Sequence, residues 1–469
     1  MEEKILQFSK IIGVDISGSL ISACICEYSL DNHSVTCCEP HFVRATPSFS
    51  REKYDKNFET YLEDFIKVIQ DTILEVRDDY VKRDEFSSTS EWDELPIGIS
   101  FSGQINYNGD VFSASSIFGP ENPKALNLIR EIKMKPTLKK NPIFVLNNIS
   151  AASWEYGAEK PYHRFLTLHI GAGVGSKVFD NIKKEVIIDS RGLAGELGHI
   201  YIPKPPHLKD YTFICNCGKE NHLAAFILPE GFRRLYNLYS KGENCSGNIF
   251  TDINKNFDQF GKLIIDDLVD LIGRMISYII LAIGIDKVII KGGQFYKFDL
   301  NVRQYYIENL NKTIYRDLKD YYHTVEPMDF IDSMLIFKDR DGKRNITPEE
   351  ADKEDRLDSI KGIVRYIIHY YESNYRVTKA YYYSCPSFLL SYKYDIFYPV
   401  IRSENIFDSK NNLLDKLVGQ RKILIIIDEN YIRKVNHDFY NRVVSYFSLI
   451  GKKVCEDKHK ITEKNFEKL

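Results

Sequence analysis

At 469 residues the chain is long for a single domain, and about three units are expected. Hydrophobic residues make up 43%, enough for buried cores, and a net charge of −3 removes the electrostatic case for nucleic acid or an anionic membrane as partner. No apolar run approaches the ~20 residues that span a bilayer, the short charged stretch Met1–Lys10 lacks the apolar core of a secretory signal, and nine scattered Cys argue for reduced thiols, some of them on metal, rather than a disulfide framework, so a cytoplasmic protein is expected.

Along the chain, Ile11–Val14 and Leu20–Tyr28 read as two strands around the small-residue turn Asp15–Ser19. Phe58–Tyr80 carries apolar residues at helical spacing. A strand follows at Ile97–Phe101, then a Gly/Asn-rich turn at Gly103–Gly109, then a short buried strand at Ile143–Leu146 and a small-residue helix start at Ser150–Ala152. The pattern then repeats in kind: strand Phe165–Ile170, glycine turn Gly171–Gly175, strand Ser176–Phe179. Two such hairpins, about 150 residues apart, predict two related lobes, each clamping one side of a ligand.

Leu263–Gly284 reads as a long amphipathic helix, Lys287–Ile290 as a strand and Lys291–Gly293 as a tight turn. Arg340–Arg356 is so densely charged that a solvated loop is expected, with a helix after it at Ile360–Tyr371. Beyond Tyr381 a fresh α/β unit opens: strands at Tyr398–Ile406 and Lys422–Ile427, helices at Leu413–Val418 and Asn436–Leu449.

The turns suggest phosphate chemistry. Phosphate oxygens need small residues, so that backbone N–H groups can approach. A carboxylate at the turn entrance, Asp15, can hold Mg2+ through water. One such turn alone is more often an ordinary hairpin; three, each after a buried strand, favour a nucleotide.

Gly13-Val14-Asp15-Ile16-Ser17-Gly18-Ser19 resembles the first phosphate motif of the ROK family of sugar kinases, with Ser17 and Ser19 where Gly and Thr are usual. Ile97–Gly103, Leu168–Gly175 and Val288–Gly293 are similar to its later motifs, with Ser102, His169 and Ala172 departing. The resemblance covers residues from about 10 to about 372. It implies a two-lobed actin-like ATPase (ribonuclease-H-like) α/β fold, with lobes at 1–147 and 148–355 and a helix near 356–372 completing the first. It also implies ATP and Mg2+ held by Asp15, Gly18, Ser19, Gly171, Gly173, Gly175, Gly292 and Gly293. A hexose-like sugar or cyclitol would occupy the cleft, and a homodimer is the usual assembly. Regulators of the family carry a helix-turn-helix before the kinase fold. Only about ten residues precede the first strand here, so no DNA partner is expected.

Gly192-Leu193-Ala194-Gly195-Glu196-Leu197-Gly198-His199 resembles the family signature ending in Glu-x-Gly-His. By that analogy Glu196 binds sugar hydroxyls, and His199 touches the sugar and ligates zinc. Downstream, Cys215 and Cys217, a glycine turn and His222 make a tetrahedral zinc set when His199 is added. His222 stands where the family has a third Cys. Such a zinc would order a loop rather than activate water. Two buried thiols and a surface His are the alternative.

The resemblance breaks at catalysis. The family places an Asn-Asp pair after the short strand, its Asp taking the proton of the attacking hydroxyl. Here the pair is Asn147-Asn148, and an amide cannot accept that proton. A sugar-binding Glu of the family falls on Ala224. Glu155 and Asp180 are nearby carboxylates, although Glu155 matches a helix-supporting position. Two readings stay open: a weak or altered kinase, or a pseudo-kinase that binds ligand and partners a separate cyclase chain.

Phe397–Leu469 resembles the N-terminal part of a sugar-phosphate cyclase of the 3-dehydroquinate synthase or valiolone synthase type, on Tyr398-Pro399-Val400, Ile406-Phe407-Asp408 and a Rossmann-like strand Lys422–Asp428 that would meet NAD ribose. The NAD turn and catalytic residues of that family have no counterpart before Leu469. A kinase beside a cyclase fragment suggests cyclitol or aminocyclitol biosynthesis, by analogy of neighbours alone.

Overall fold

The computed structural model of the chain describes residues 10–29, 33–47, 57–82, 92, 95–119, 126–159, 162–171, 173–189, 194–241, 245, 247–321, 335–337, 347–382, 389–391 and 397–399. Residues Met1–Glu372 form one compact unit and Ser373–Leu469 a second.

The first unit is built on two sheets of the same design. β1 (Lys10–Ile16) and β2 (Leu20–Ser29) pair antiparallel, with Asp15 opposite Ser22. β3 (Ser34–Cys37) and β4 (Phe42–Ala45) extend β2, while β5 (Ile97–Phe101) and β8 (Ile143–Asn147) add in parallel on the other side of β1. A small hairpin of β6 (Gln104–Ile105) and β7 (Val111–Ser113) intervenes.

The second sheet repeats the plan. β9 (Arg164–Ile170) and β10 (Val174–Asp180) pair antiparallel, β11 (Glu185–Val186) extends β10, β12 (Lys287–Lys291) joins β9 in parallel and β13 (Leu335–Phe337) joins β12 in parallel. Antiparallel hairpin first, parallel strands second is what the paired glycine turns predict. Parallel strands buried on both faces need continuous apolar runs, and Ile97–Phe101 is buried throughout.

Helices cover the sheets. α1 (Phe58–Lys82) buries Phe65, Ile69, Ile73 and Val76, one stripe at helical spacing, against β1 and β2. Each such side chain contributes about 1.5–3 kcal/mol. α3 (Lys262–Ile283) and α4 (Leu300–Leu318) pack the second lobe. Two helices join the lobes. α2 (Asn148–Glu159) and α5 (Pro348–Tyr382) share a core with Leu146, Phe165, Phe179 and Ile289, one residue from each of four strands across the two sheets. Their crossing is close: a Cβ at Gly362 would stand 1.7 Å from the Ala151 carbonyl oxygen.

One expectation is corrected here. Pro348–Arg356 is not a solvated loop but the first turns of α5. Thr347 and Glu350 form a capping box: the Glu350 N–H donates to Thr347 Oγ1 at 3.2 Å and the Thr347 N–H to Glu350 Oε2 at 2.8 Å. Pro348 occupies the first helical position, where its missing N–H costs nothing. One of the charges that suggested a loop, Asp355, pairs instead with Lys291 and His169 at the ends of β12 and β9.

Of the C-terminal segment, Leu389–Ser391 pairs antiparallel with Phe397–Pro399. The rest of the cyclase-like stretch lies outside the described residues.

Candidate nucleotide and sugar site

The first turn is tied off locally. The Ser17 N–H and hydroxyl both donate to the Leu20 carbonyl at 2.9 Å, and the Thr46 N–H donates to the Ser19 carbonyl at 2.9 Å. Gly18 packs on the Ser116 carbonyl, which a Cβ would approach to 2.5 Å. Ser19 is exposed at the tip. Asp15, at the end of β1, is buried and accepts a 2.7 Å bond from the Ser100 hydroxyl. Burial pushes its carboxyl up to about 6, while Ser100, Arg356 and Lys291 pull it down and Asp355 adds to the rise.

The second and third turns touch each other. Gln294, one residue after the third turn, donates its side-chain amide to the Gly171 carbonyl. Gly292 has φ +117° and lies against Ile170, whose carbonyl a Cβ would meet at 2.2 Å, so only glycine fits. Gly175 abuts Ile149 of α2 and Gly293 abuts Asp352 of α5. Ala172 lies outside the described residues.

Three titratable side chains link the turns. Asp355 of α5 is 3.3 Å from Lys291 Nζ at the end of β12 and 3.4 Å from His169 Nε2 on β9. Burial raises the Asp352 carboxyl, with Asp355 adding to the effect. A buried lysine, an imidazole and two carboxylates thus line the place where the second and third turns meet, and their charges reach Asp15, a setting suited to phosphates and a divalent cation.

The acceptor side continues from the second turn. Asn147 caps α2, its Oδ1 accepting from the Ile149 and Ser150 N–H groups at 3.0 and 3.2 Å, and its Nδ2 donates to the Gly103 carbonyl at 2.8 Å. Asn148 Oδ1 also accepts from the Ile149 N–H at 3.0 Å. Ala194 and Gly195 both have positive φ, which turns the chain sharply before Glu196. Ser176 and Lys177 of β10 hold that turn, donating to the Gly195 and Ala194 carbonyls. Lys177 is buried, and the Glu196 and Asp189 charges act on it. Glu196 is half-buried and opens the short 3-10 turn Leu197–His199.

His199, Cys215, Cys217 and His222 each offer a ligand atom within 4.8 Å of the others. His199 Nδ1 is 3.7 Å from Cys215 Sγ, and His222 Nδ1 is 3.2 Å from Cys217 Sγ. The Cys215–Gly218 turn closes on itself, the Gly218 N–H donating to the Cys215 carbonyl at 2.8 Å. Tyr201 and His222 form a bridge that brings the two halves together. Two thiols and two imidazoles so gathered fit a tetrahedral zinc ion.

Residues 53–333 match the model of the ROK family. The chain belongs to the ROK family. It is 30% identical over 138 residues to a C(7)-cyclitol 7-kinase of Streptomyces hygroscopicus subsp. limoneus, covering 29% of this chain and 35% of that protein. It is 27% identical over 251 residues to a glucokinase of Thermotoga maritima, covering 48% of this chain and 74% of that one. Thus it spans about a third of the length of the cyclitol kinase it matches. Among solved structures, a ROK family transcriptional regulator homologous to the E. coli MLC protein superposes with a TM-score of 0.50 at 16% identity, over 76% of this chain and 80% of that one. A Cytophaga hutchinsonii protein described as a candidate sugar kinase gives 0.50 at 15%, over 76% and 99%. The fold is the actin-like ATPase fold of ROK proteins.

Within this ROK fold, the turns containing Gly171 and Gly292 come together, with Asp15 within reach of the charges beside them, and so do His199, Cys215, Cys217 and His222. Ala224 is buried in the short helix after His222. Neither alternative carboxylate is available as a base: Glu155 is buried against Arg365, and Asp180 pairs with Arg164 at 2.8 Å. Sequence reasoning missed Lys177, Asp352, Asp355 and Arg356. A lysine inside the apolar strand Val174–Asp180 and the Thr347–Glu350 capping box were the available signals.

Proposed function

We propose that this ROK protein transfers the γ-phosphoryl group of Mg-ATP to a hydroxyl of a sugar or C7 cyclitol in the cytoplasm. The observation that carries the reading is the contact of the second and third glycine turns beside Lys291 and Asp355, with the buried Asp15 carboxyl under their charge and the Glu196–His199 turn built onto the second. Asp15, Gly18 and Ser19 would face the phosphates from one lobe. Gly171, Gly173 and Gly175 would face them from the other, and Gly292 and Gly293 would border the nucleoside. Mg-ATP supplies the transferable phosphoryl group and the charge neutralisation it needs. Asn147, Glu196 and His199 would orient the acceptor. His199, Cys215, Cys217 and His222 would hold a zinc ion that ties the acceptor turn to the 215–222 loop, a structural role that links folding to metal.

Asn148 favours a second reading. Its amide oxygen is already bonded to the Ile149 N–H, and an amide cannot take the acceptor proton. With Ala224 in place of a sugar-binding carboxylate, the chain would bind ligand with little or no turnover and act as a scaffold for a separate cyclase. An ADP-release assay over hexoses, heptoses and cyclitols decides between them, run beside calorimetry with ATP and each acceptor. Turnover supports the kinase. Binding without ADP release supports the scaffold, and no nucleotide binding at all sinks both.

A further inference from the structure

Three thiols outside the cleft are gathered by strand register. Cys24 and Cys26 lie two residues apart on β2, so both leave one face of the sheet. Cys37 on β3 is the cross-strand partner of Cys26. Cys26 Sγ is 3.9 Å from Cys24 Sγ and 3.5 Å from Cys37 Sγ, and all three sulfurs lie within 4.8 Å of one another. Cys24 and Cys26 are buried and Cys37 is half-buried.

That spacing has chemical meaning. Thiolates held about 2.3 Å from a metal stand about 3.8–4.0 Å from each other in tetrahedral or trigonal geometry. The Cys24–Cys26 separation of 3.9 Å matches a metal-bound pair, and the 3.5 Å between Cys26 and Cys37 needs to open by only a few tenths of an ångström. One further feature goes beyond the use of Cys as a small core residue. Cys24 lines a cavity of about 300 Å³ whose wall carries Glu39 and His41 beside Lys353 and Arg356, so an ion has a route past a carboxylate and an imidazole.

We propose that Cys24, Cys26 and Cys37 form a three-thiolate site for a soft closed-shell metal ion of the copper(I) or cadmium(II) class. Soft sulfur donors select such ions over hard cations. Binding is a ligand exchange without redox change: three S–H bonds break, three metal–sulfur bonds form, and three protons pass to solvent. The site differs from the His199 centre, which mixes imidazole with sulfur. It also abuts the nucleotide lobe, because Cys26 Sγ would stand 3.1 Å from a Cβ at Gly13, two residues before Asp15.

The test uses the full reduced chain, stripped of metal and titrated with Cd2+ while the ultraviolet sulfur-to-cadmium absorption is followed. The wild type should take up two equivalents. Cys37→Ser should take up one, and Cys215→Ser/Cys217→Ser should keep the stronger, all-sulfur band. Loss of the whole band in Cys215→Ser/Cys217→Ser, or two equivalents retained in Cys37→Ser, overturns the assignment. Should either variant misfold by circular dichroism, alkylation mapped by mass spectrometry on the unmodified chain decides. Cd2+ must slow labelling of Cys24, Cys26 and Cys37 at least tenfold, and equal rates with and without Cd2+ reject the site.

Discussion

Lys291 Nζ and Asp355 Oδ1 stand 3.3 Å apart, although one ends a strand of the second lobe and the other lies in the first turns of the returning helix. The Lys291 side chain is only 2% exposed, and Asp355 is the carboxylate paired with it. Asp355→Ala removes the paired carboxylate from a buried ammonium, at a cost of up to about 3–5 kcal/mol. Thermal unfolding of Asp355→Ala should fall by several degrees or more. Lys291→Met/Asp355→Leu should recover much of the loss, because both charges then leave together. A double variant as unstable as the single one contradicts this account.

Asp15 makes stability and ligand binding respond oppositely to pH. The folded chain keeps the Asp15 proton up to about pH 6, whereas the unfolded chain releases it near 3.8. A carboxyl raised in this way contributes most to stability below about pH 4, and that contribution is lost as pH rises through 6. The difference is about 3 kcal/mol at neutral pH. Asp15→Asn should therefore raise the ligand-free unfolding temperature at pH 7.5, measured by calorimetry. The same variant should lose Mg-nucleotide binding, and wild-type binding should weaken below about pH 6. Equal unfolding temperatures at pH 7.5 would argue against the buried-charge account.

Asn148→Asp restores a proton acceptor at the start of α2. A general base contributes about 10²–10⁴-fold. The carboxylate can keep the contact with the Ile149 N–H, so the helix start should survive. ADP release with the best acceptor should rise within that range, with little change in the acceptor KM. An unchanged rate would favour the ligand-binding reading over the kinase.

Cys217→Ser removes one ligand from the His199, Cys215, Cys217 and His222 set. Elemental analysis should show one zinc fewer per chain. The Glu196 turn loses its tether to the 215–222 loop, so acceptor affinity should drop about 10-fold or more by calorimetry. Nucleotide affinity should stay close to wild type, since the glycine turns keep their own packing. A parallel fall in nucleotide affinity would point to general unfolding instead.

The sequence by itself determined the two hairpins, the glycine turns, the long helices and the Cys-x-Cys set. These follow from local chemistry: apolar runs that must be buried, glycines that let backbones approach, and sulfur spacing within one loop. It also placed Asn148 just after the strand read at Ile143–Leu146, where the family resemblance implies an Asp. Only the tertiary structure decided the use of the charges in Pro348–Arg356. Read along the chain they look solvated, but the capping box winds them into a helix that carries Asp352, Asp355 and Arg356 to turns more than 50 residues earlier. The same holds for Lys177 under the Glu196 turn and for Cys24 and Cys26 beside Cys37. Strand register and helix direction set those meetings, and neither is encoded at any single position.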